Sequence, residues 1–504
     1  MTLGVLLQAA ASTRVAAGTI DRALARREVS AIGYDSRRAQ PASVFIAMRG
    51  ERADGASFAP QAVARGAMAV IAETPNPDLP VAWIVVADAR QAIAELAAAF
   101  FDRPSEAMQV VGITGTNGKT TTSYLLQSIF EAAGVKCGRI GTVGYSVAGE
   151  ERAAPHTTPE APDIQAMLRE MVNAGSGACA MEVSSHALAL RRVDAMRFAA
   201  AIFTNLTRDH LDFHENMDAY FEAKRRLFEM LPPGSVASIN ADDARAAALV
   251  EVSPRPVTYA VDRPADVTPG PIDMSIEGLA FEIRTPRGLL RVRSRLVGRP
   301  NVYNILSAVA VSVALDLPFD ALERGVEALE HVPGRFQVVS GEGDDVRVVI
   351  DYAHTDDALR NLLETARPLA AARVITVFGC GGDRDRTKRP LMGAVAARLS
   401  DVVILTSDNP RSEDPDRIID EIQRGIPAGS QKSTAKRPQV LTIVDRRAAI
   451  DRAVKDARAG DLVLIAGKGH ERTQTVGTRV LPFDDVEVAR GALARRRAGS
   501  RVSS

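Results

Sequence analysis

Gln109-Val-Val-Gly-Ile-Thr114, then Gly115-Thr-Asn-Gly-Lys-Thr120, then Thr121-Thr-Ser-Tyr-Leu-Leu-Gln-Ser-Ile-Phe130: this stretch decides the fold. The apolar run 109–113 predicts a buried strand, and the apolar positions of 121–130 fit a helix. Between them, a glycine loop points backbone N–H groups and a helix N-terminus at a phosphate chain. In such loops the lysine, here Lys119, meets the β- and γ-phosphates, and the hydroxyl that follows, Thr120, meets a Mg²⁺. The strict Walker A pattern places a glycine at position 113, where this chain has Ile113, and the nearby glycine is Gly112. The loop is therefore a variant of that pattern.

Working outward, apolar strands alternate with helical patterns from residue 109 to about Pro333-Gly334, which predicts a parallel sheet covered on both faces. Two of these strands run into polar ends, Met181-Glu182-Val-Ser-Ser-His186 and Asn205-Leu-Thr-Arg-Asp-His210-Leu-Asp-Phe-His214. Ligands of open α/β sheets sit at strand ends, and a carboxylate (Glu182) with an imidazole (His210) there suits Mg²⁺ beside a nucleotide. His186 and His214 are read as cap or solvated loop groups. Lys224, within Tyr220-Phe-Glu-Ala-Lys-Arg-Arg-Leu-Phe228, reads by composition as the exposed lysine of an amphipathic helix. A third series of strands, beginning at Val346-Arg-Val-Val-Ile350, predicts another doubly wound unit. Residues 1–107 read as a small α/β domain opened by an amphipathic helix over 1–13, and the basic tail from Arg495 to Ser504 is expected to fray.

The chain has 504 residues, long enough for about three domains at roughly 100–200 residues each. It carries 62 Lys+Arg against 62 Asp+Glu, so no global field draws it to nucleic acid or an acidic membrane, and neither is expected as a partner. The charge-free stretch 300–315 is shorter than the roughly 18–20 apolar residues a membrane span needs. Cys137, Cys179 and Cys380 lie far apart, which suggests neither a disulfide framework nor a thiolate metal site and fits a reducing cytoplasm. The cluster at Gly379-Cys-Gly-Gly-Asp-Arg384 is not a dinucleotide fingerprint, because Arg384 occupies the place of the third glycine.

Gly115-Thr-Asn-Gly-Lys-Thr120, Glu182-Val-Ser-Ser-His186, Asn205-Leu-Thr-Arg-Asp-His210, Gly298-Arg-Pro-Asn301-Val-Tyr-Asn304, Pro333-Gly-Arg335 and Asp351-Tyr-Ala-His354 occur in the order seen in the Mur ligases. This chain resembles that family of ATP-dependent amide ligases, which build the stem peptide of peptidoglycan, over essentially its whole length. The resemblance implies an α/β fold in three domains: residues 1–107, a small N-terminal α/β domain binding uridine diphosphate; 108–336, a central P-loop parallel-sheet ATPase domain; and 337–504, a C-terminal Rossmann-like domain taking the amino acid. Thr157-Thr-Pro-Glu160, the 379–392 segment, Ala466-Gly-Lys-Gly-His-Glu471 and Asp408-Asn-Pro-Arg411 resemble the branch that adds meso-2,6-diaminopimelate to UDP-N-acetylmuramoyl-L-alanyl-D-glutamate. The chemistry agrees: the far end of that amino acid carries a carboxylate that an arginine fork binds, whereas lysine has only a cation there.

By position, the resemblance assigns Gly115, Thr116, Asn117, Gly118, Lys119, Thr120 and Thr121, with Asn301, Asn304, Arg335 and Asp351, to ATP. Thr120, Glu182 and His210 become Mg²⁺ ligands together with Lys224 as a carbamate, and Lys119, Lys224, His210 and Glu182 form the catalytic set. Ser36, the loop 50–55, Thr157, Thr158, Ser184 and Arg192 fall on the UDP-muramoyl dipeptide. Arg384, Asp408, Asn409, Pro410, Arg411, Gly467 and Glu471 fall on meso-diaminopimelate, with Glu471 suited to its distal ammonium. His156, Leu190 and Asp356 depart from the family pattern, as do Glu51 and Arg52. A cytoplasmic monomer acting through an acyl phosphate, with hinge closure around residues 333–337, is the expectation. The rivals are a sister ligase adding L-lysine or extending a folate, and a non-catalytic nucleotide-gated binding protein.

Overall fold

Alternate residues of the strand Gln109–Thr114 belong to different cores: Val111 and Ile113 pack on one face, Val110 on the other. The same alternation holds along Ala200–Phe203, where Ala200 and Ile202 face one core and Ala201 and Phe203 the second. That period of two, with both faces apolar, produces a parallel sheet covered by helices on either side. The computed structural model describes residues 1–9, 20–50, 53–76, 78–341, 343–427 and 438–502. Glu51 and Arg52 lie outside the described residues, as do positions 10–13 of the expected first helix, which runs over Leu3–Ala9.

The N-terminal sheet is parallel throughout, in the order β1 (Ala31–Gly33), β2 (Ser43–Ile46), β3 (Ala69–Ala72), β4 (Ala82–Val85). The central sheet holds β5 (Gln109–Thr114), β6 (Cys137–Ile140), β7 (Tyr145–Val147), β8 (Glu150–Arg152), β9 (Ala178–Glu182), β10 (Ala200–Phe203), β11 (Val236–Asn240) and β12 (Arg255–Tyr259). Its spatial order is β12-β11-β10-β5-β9-β6-β7-β8, parallel except for the last two pairings. β5 lies between β9 and β10, so the loop after it faces the ends of both neighbours, which carry Glu182 and residues 204–210.

Strand–helix alternation does not continue through residues 268–294. There β13 (Thr268–Pro269), β14 (Asp273–Ser275), β15 (Gly278–Thr285) and β16 (Gly288–Ser294) form an antiparallel sheet. Leu279, Phe281, Ile283, Leu290 and Val292 point inward from β15 and β16 while Glu282, Arg291 and Arg293 point out, the pattern of a sheet with one wet face. The charge-free stretch forms a helix, Arg299–Ala314, buried almost all round.

The C-terminal sheet follows as β17 (Gln337–Val338), β18 (Arg347–Asp351), β19 (Val374–Phe378), β20 (Val402–Leu405), β21 (Gln439–Thr442) and β22 (Leu462–Ala466), in the order β17-β18-β22-β19-β20-β21. A hairpin, β23 (Thr473–Val476) with β24 (Arg479–Pro482), completes the strands. The tail does not fray at Arg495: the last helix runs over Asp485–Val502. Arg496 closes an ion pair with Asp345 at 2.7 Å and donates to Ala457 O at 2.7 Å, and Arg495 pairs with Asp451. Interleaved Val488, Ala489, Ala492 and Leu493 bury the opposite face. No helix among the described residues is long and apolar enough to cross a membrane.

Candidate active site

The helix Lys119–Ala132 begins behind Gly118, which sits at φ +90° and supplies no side-chain cap. Its first N–H groups are thus left for a ligand, with the positive end of the helix dipole behind them. A side chain at Gly118 would collide with Asn304 Oδ1, and one at Gly115 with Thr204 Oγ1, so close approach makes both glycines necessary. The loop is tied to the end of β10: Thr116 N donates to Asn205 O at 2.8 Å, Asn117 N to Asn205 Oδ1 at 3.0 Å, and Thr204 Oγ1 to Asn117 O at 2.6 Å.

Two lysines meet under this loop. Lys119 Nζ donates to Gly115 O at 2.9 Å and to Thr116 O at 2.8 Å, and Lys224 Nζ donates to the same Gly115 O at 2.9 Å. Lys224, on the helix Met217–Glu229, is 1% exposed, with its amine 4.3 Å from the centre of the Tyr220 ring. Burial, reinforced by the neighbouring Lys119, holds the Lys224 amine well below the usual lysine range. Burial also lowers Lys119. Lys224 is therefore not the surface lysine its composition suggests; it is a buried amine that gives up its proton more readily than an exposed lysine does.

Glu182 ends β9 and is buried. Its Oε1 accepts from Thr142 N at 2.9 Å and its Oε2 from Thr142 Oγ1 at 3.0 Å. His210 stands in the left-handed region at φ 53°, with Nε2 3.4 Å from Asp209 Oδ2, and desolvation holds its imidazole down at about 4 despite that carboxylate. It is neutral, and so has a lone pair to give, throughout the physiological range. His186 packs edge-on to His210 at 4.8 Å between ring centres and lies 4.2 Å from Phe213. His214 is buried with Nε2 2.9 Å from Ser185 Oγ. Both histidines are structural members of one aromatic cluster rather than solvated loop groups.

Arg335 and Asp351 enter from the C-terminal side. Arg335 Nη2 donates to Thr120 Oγ1 at 3.3 Å, and its guanidinium stacks 4.7 Å from the Tyr352 ring centre. Asp351 accepts from Phe336 N at 2.7 Å and Ala353 N at 2.8 Å. Asn304 Nδ2 donates to Asn301 Oδ1 at 2.9 Å, and both open the helix Arg299–Ala314 beside the loop. Thr121 is buried in the first turn of the loop helix.

Thr157, Thr158, Ser184 and Arg192 are brought together next to Glu182. Thr142 Oγ1 lies 3.0 Å from Thr157 Oγ1, Thr158 Oγ1 donates to Glu182 O at 2.8 Å, Ser184 N donates to Thr158 Oγ1 at 3.1 Å, and Arg192 Nη1 donates to Thr158 O at 2.8 Å. Ser36 stands apart and donates to Gln61 Oε1 at 2.6 Å. Two residues before it, Tyr34 donates to Asp163 Oδ2 at 2.7 Å beside a cleft of about 390 Å³ lined also by Arg38, Tyr145 and His156.

A second centre forms at the ends of β20 and β22. Arg411, at φ 53°, donates from Nη1 to Gly382 O at 2.7 Å, and its backbone is held by the hairpin, N to Thr475 O at 3.1 Å and O from Gly477 N at 2.7 Å. Asn409 Nδ2 donates to Glu471 Oε2 at 2.8 Å, and a Cβ on Gly467 would come within 2.6 Å of Asp408 Oδ2. Arg384 lies on the adjoining loop, exposed, its Cγ 3.9 Å from where a Cβ on Gly381 would stand.

Family models match three stretches of the chain: a Mur ligase family catalytic domain over residues 28–101, a Mur ligase middle domain over 113–312 and a Mur ligase glutamate ligase domain over 334–469. The chain is 48% identical over 476 residues to the UDP-N-acetylmuramoyl-L-alanyl-D-glutamate--2,6-diaminopimelate ligase of Solibacter usitatus, covering 93% of this chain and 94% of that protein. It is 44% identical over 471 residues to the ligase of the same name from Alkaliphilus metalliredigens, at 92% and 93% coverage. A solved structure of a UDP-N-acetylmuramoyl-L-alanyl-D-glutamate--2,6-diaminopimelate ligase superimposes with TM-score 0.68 at 35% identity, over 95% of this chain and 97% of that one. The chain belongs to the Mur ligase family.

Several residues that shape the site of this Mur ligase carry no signal in composition or spacing. Thr142 fixes both oxygens of Glu182 from the turn after β6, and only the fold brings it there. Tyr220 lies beneath Lys224 and reaches Thr116 Oγ1 at 3.2 Å. Tyr352, stacked by Arg335 and 5.0 Å from the His470 ring centre, ties the strand end carrying Asp351 to the segment before Glu471. Lys468 is fully buried beneath Glu471. Tyr220 and Tyr352 lie inside quoted motifs, so an aromatic beside a functional lysine or aspartate was the available clue.

Proposed function

We propose that this Mur ligase joins meso-2,6-diaminopimelate to UDP-N-acetylmuramoyl-L-alanyl-D-glutamate at the expense of ATP. The observation that carries the reading is the convergence of Lys119, Lys224, Glu182 and His210 around one phosphate loop, with Arg335 reaching Thr120 from the C-terminal side. Residues 1–107 would hold the uridine diphosphate, 108–336 the ATP and 337–504 the amino acid.

The γ-carboxylate of D-glutamate attacks the γ-phosphorus of ATP, forming an acyl phosphate and releasing ADP. The free amine at the L-centre of diaminopimelate then attacks the acyl carbon, phosphate leaves, and the amine loses a proton as the amide forms. Phosphoryl transfer of this kind depends mainly on positioning and charge neutralisation. Lys119 and the N–H groups behind Gly118 hold the phosphate chain, and Arg335 adds a cation at the mouth of the loop. Arg192 and Ser184, beside Thr158, orient the muramoyl dipeptide.

Hydroxyl, carboxylate and neutral imidazole donors at Thr120, Glu182 and His210 fit Mg²⁺ held by one carboxylate and substrate phosphates, since no cluster of three or more His, Cys, Asp or Glu forms a closed cage among the described residues. Bound there, the ion would neutralise developing charge on the transferred phosphoryl group. Lys224 fits the same purpose as a carbamate: burial favours its unprotonated form, and that amine can add CO₂ and lose a proton, replacing an amine with an anionic oxygen donor. The Arg411 guanidinium, with Glu471 near by, favours diaminopimelate over the L-lysine of a sister ligase, and the assembled lysine pair argues against a non-catalytic binding protein. Substrate labelled with ¹⁸O in the glutamate γ-carboxylate tests the chemistry: one labelled oxygen is expected in the released phosphate, and unlabelled phosphate would refute the acyl-phosphate step.

A further inference from the structure

Lys468 stands between two glycines of positive φ, Gly467 at φ +114° and Gly469 at φ +53°. A Cβ on the first would press on Asp408 and one on the second on the Tyr352 backbone, so the chain is pinned on both sides of the lysine. The Lys468 side chain is fully buried, yet it does not point into the phosphate site. Its ammonium donates to Thr473 O at 2.6 Å, Glu471 Oε2 at 3.0 Å and Asn409 Oδ1 at 3.3 Å. Three N–H donors thus meet three acceptors, which satisfies a buried ammonium completely. Asn409 closes the triangle: Nδ2 donates to Glu471 Oε2 at 2.8 Å while Oδ1 accepts from Thr475 N at 2.9 Å, and Thr475 O in turn accepts from Arg411 N.

We propose that Lys468 is a positioning residue that sets amino-acid selectivity by locking the Glu471 carboxylate at a fixed distance from Arg411. This rests on the reading above, in which residues 408–411 and 471 receive the incoming amino acid. Both of these bonds fall on Oε2 of Glu471, which leaves Oε1 available to a ligand on a half-buried side chain held at its other oxygen. The resident ammonium also offsets part of the carboxylate charge. A substrate end bearing an ammonium alone meets a carboxylate whose charge is partly offset, whereas an end bearing ammonium and carboxylate on one carbon engages the carboxylate and the Arg411 fork together.

The test is a double-mutant cycle read by steady-state phosphate release with all three substrates: wild type, Lys468→Met, Glu471→Gln and the double variant. Each single change is expected to raise KM for meso-diaminopimelate about tenfold or more, the loss for a charge-assisted bond, with KM for ATP changed by less than about twofold. The double variant is expected to be no worse than the worse single one, because both remove the same contact. Effects that multiply, or a Lys468→Met enzyme with wild-type KM for the amino acid, would overturn the proposal. If Lys468→Met does not fold, Lys468→Gln, which keeps a donor of shorter reach, takes its place in the cycle under the same criteria. A wild-type protein that is inactive with meso-diaminopimelate would refute the substrate reading instead.

Discussion

Lys224 concentrates the account at the residue scale. Two lysine amines share one carbonyl oxygen, and burial together with the neighbouring Lys119 weakens the hold of Lys224 on its proton. ¹³C NMR of the protein in ¹³C-bicarbonate is expected to show a carbamate resonance that disappears in Lys224→Met; a spectrum without it would contradict the metal set proposed here. Nothing in composition distinguishes this lysine from Arg225 beside it, because helix periodicity reports a face and not what covers it. His470 offers a second test. Burial first, and then the cations of Arg335, His354 and Lys468, lower it from 6.5 to about 4. Between those values the unfolded chain takes a proton the folded chain refuses, so stability is greatest above about pH 6.5 and falls as the pH drops through the window. The Tm of His470→Gln should therefore fall less than that of wild type between pH 7 and 4.5; parallel curves would show that His470 does not contribute.

At the scale of elements, the strand–loop–helix of residues 109–132 was legible because period two, glycine punctuation and a helical pattern follow each other without overlap. Residues 268–294 were not, since short alternating segments in a chain rich in α/β units resemble more of the same until their antiparallel register is seen. The last helix escaped because its outer face mixes Arg490, Arg495 and Arg497 with small Ala494 and Ala498, and one of its anchors is an ion pair no linear pattern reveals. Arg446 and Asp485 are both fully buried, with Nη2 to Oδ2 at 2.7 Å and a second bond from Nη2 to Ala466 O at 3.0 Å. Asp485→Ala leaves that guanidinium unpaired and is expected to cost about 3–5 kcal/mol in urea unfolding, whereas a loss below about 1 kcal/mol would show the pair to be dispensable. The Asp408–Arg411 segment stands out in the sequence by its residue types, but not by its support, which comes from the hairpin β23–β24. Arg411→Ala should lower kcat/KM for meso-diaminopimelate by about 2–5 kcal/mol, roughly 30-fold or more, and leave use of L-lysine nearly unchanged; equal losses for both would assign Arg411 a structural role.

For the whole molecule, three mainly parallel sheets present the proposed site residues at or near their strand ends, and Arg335 reaches from the C-terminal side to Thr120 beside the loop after β5. The balance of 62 cationic and 62 anionic residues says nothing about local sites, where Lys119, Arg192, Arg335 and Arg411 are the cations proposed to meet anionic substrate groups. Composition and motif order suggest where one α/β unit gives way to the next, while contacts such as Arg335 with Thr120 and Tyr34 with Asp163 depend on packing that only coordinates display. The central claim is the identity of the third-residue substrate. Phosphate release by the purified protein with ATP, UDP-N-acetylmuramoyl-L-alanyl-D-glutamate and either meso-diaminopimelate or L-lysine tests it most directly: rapid release with meso-diaminopimelate and little with L-lysine is predicted, and release that is equal, faster with L-lysine, or absent with both would contradict it.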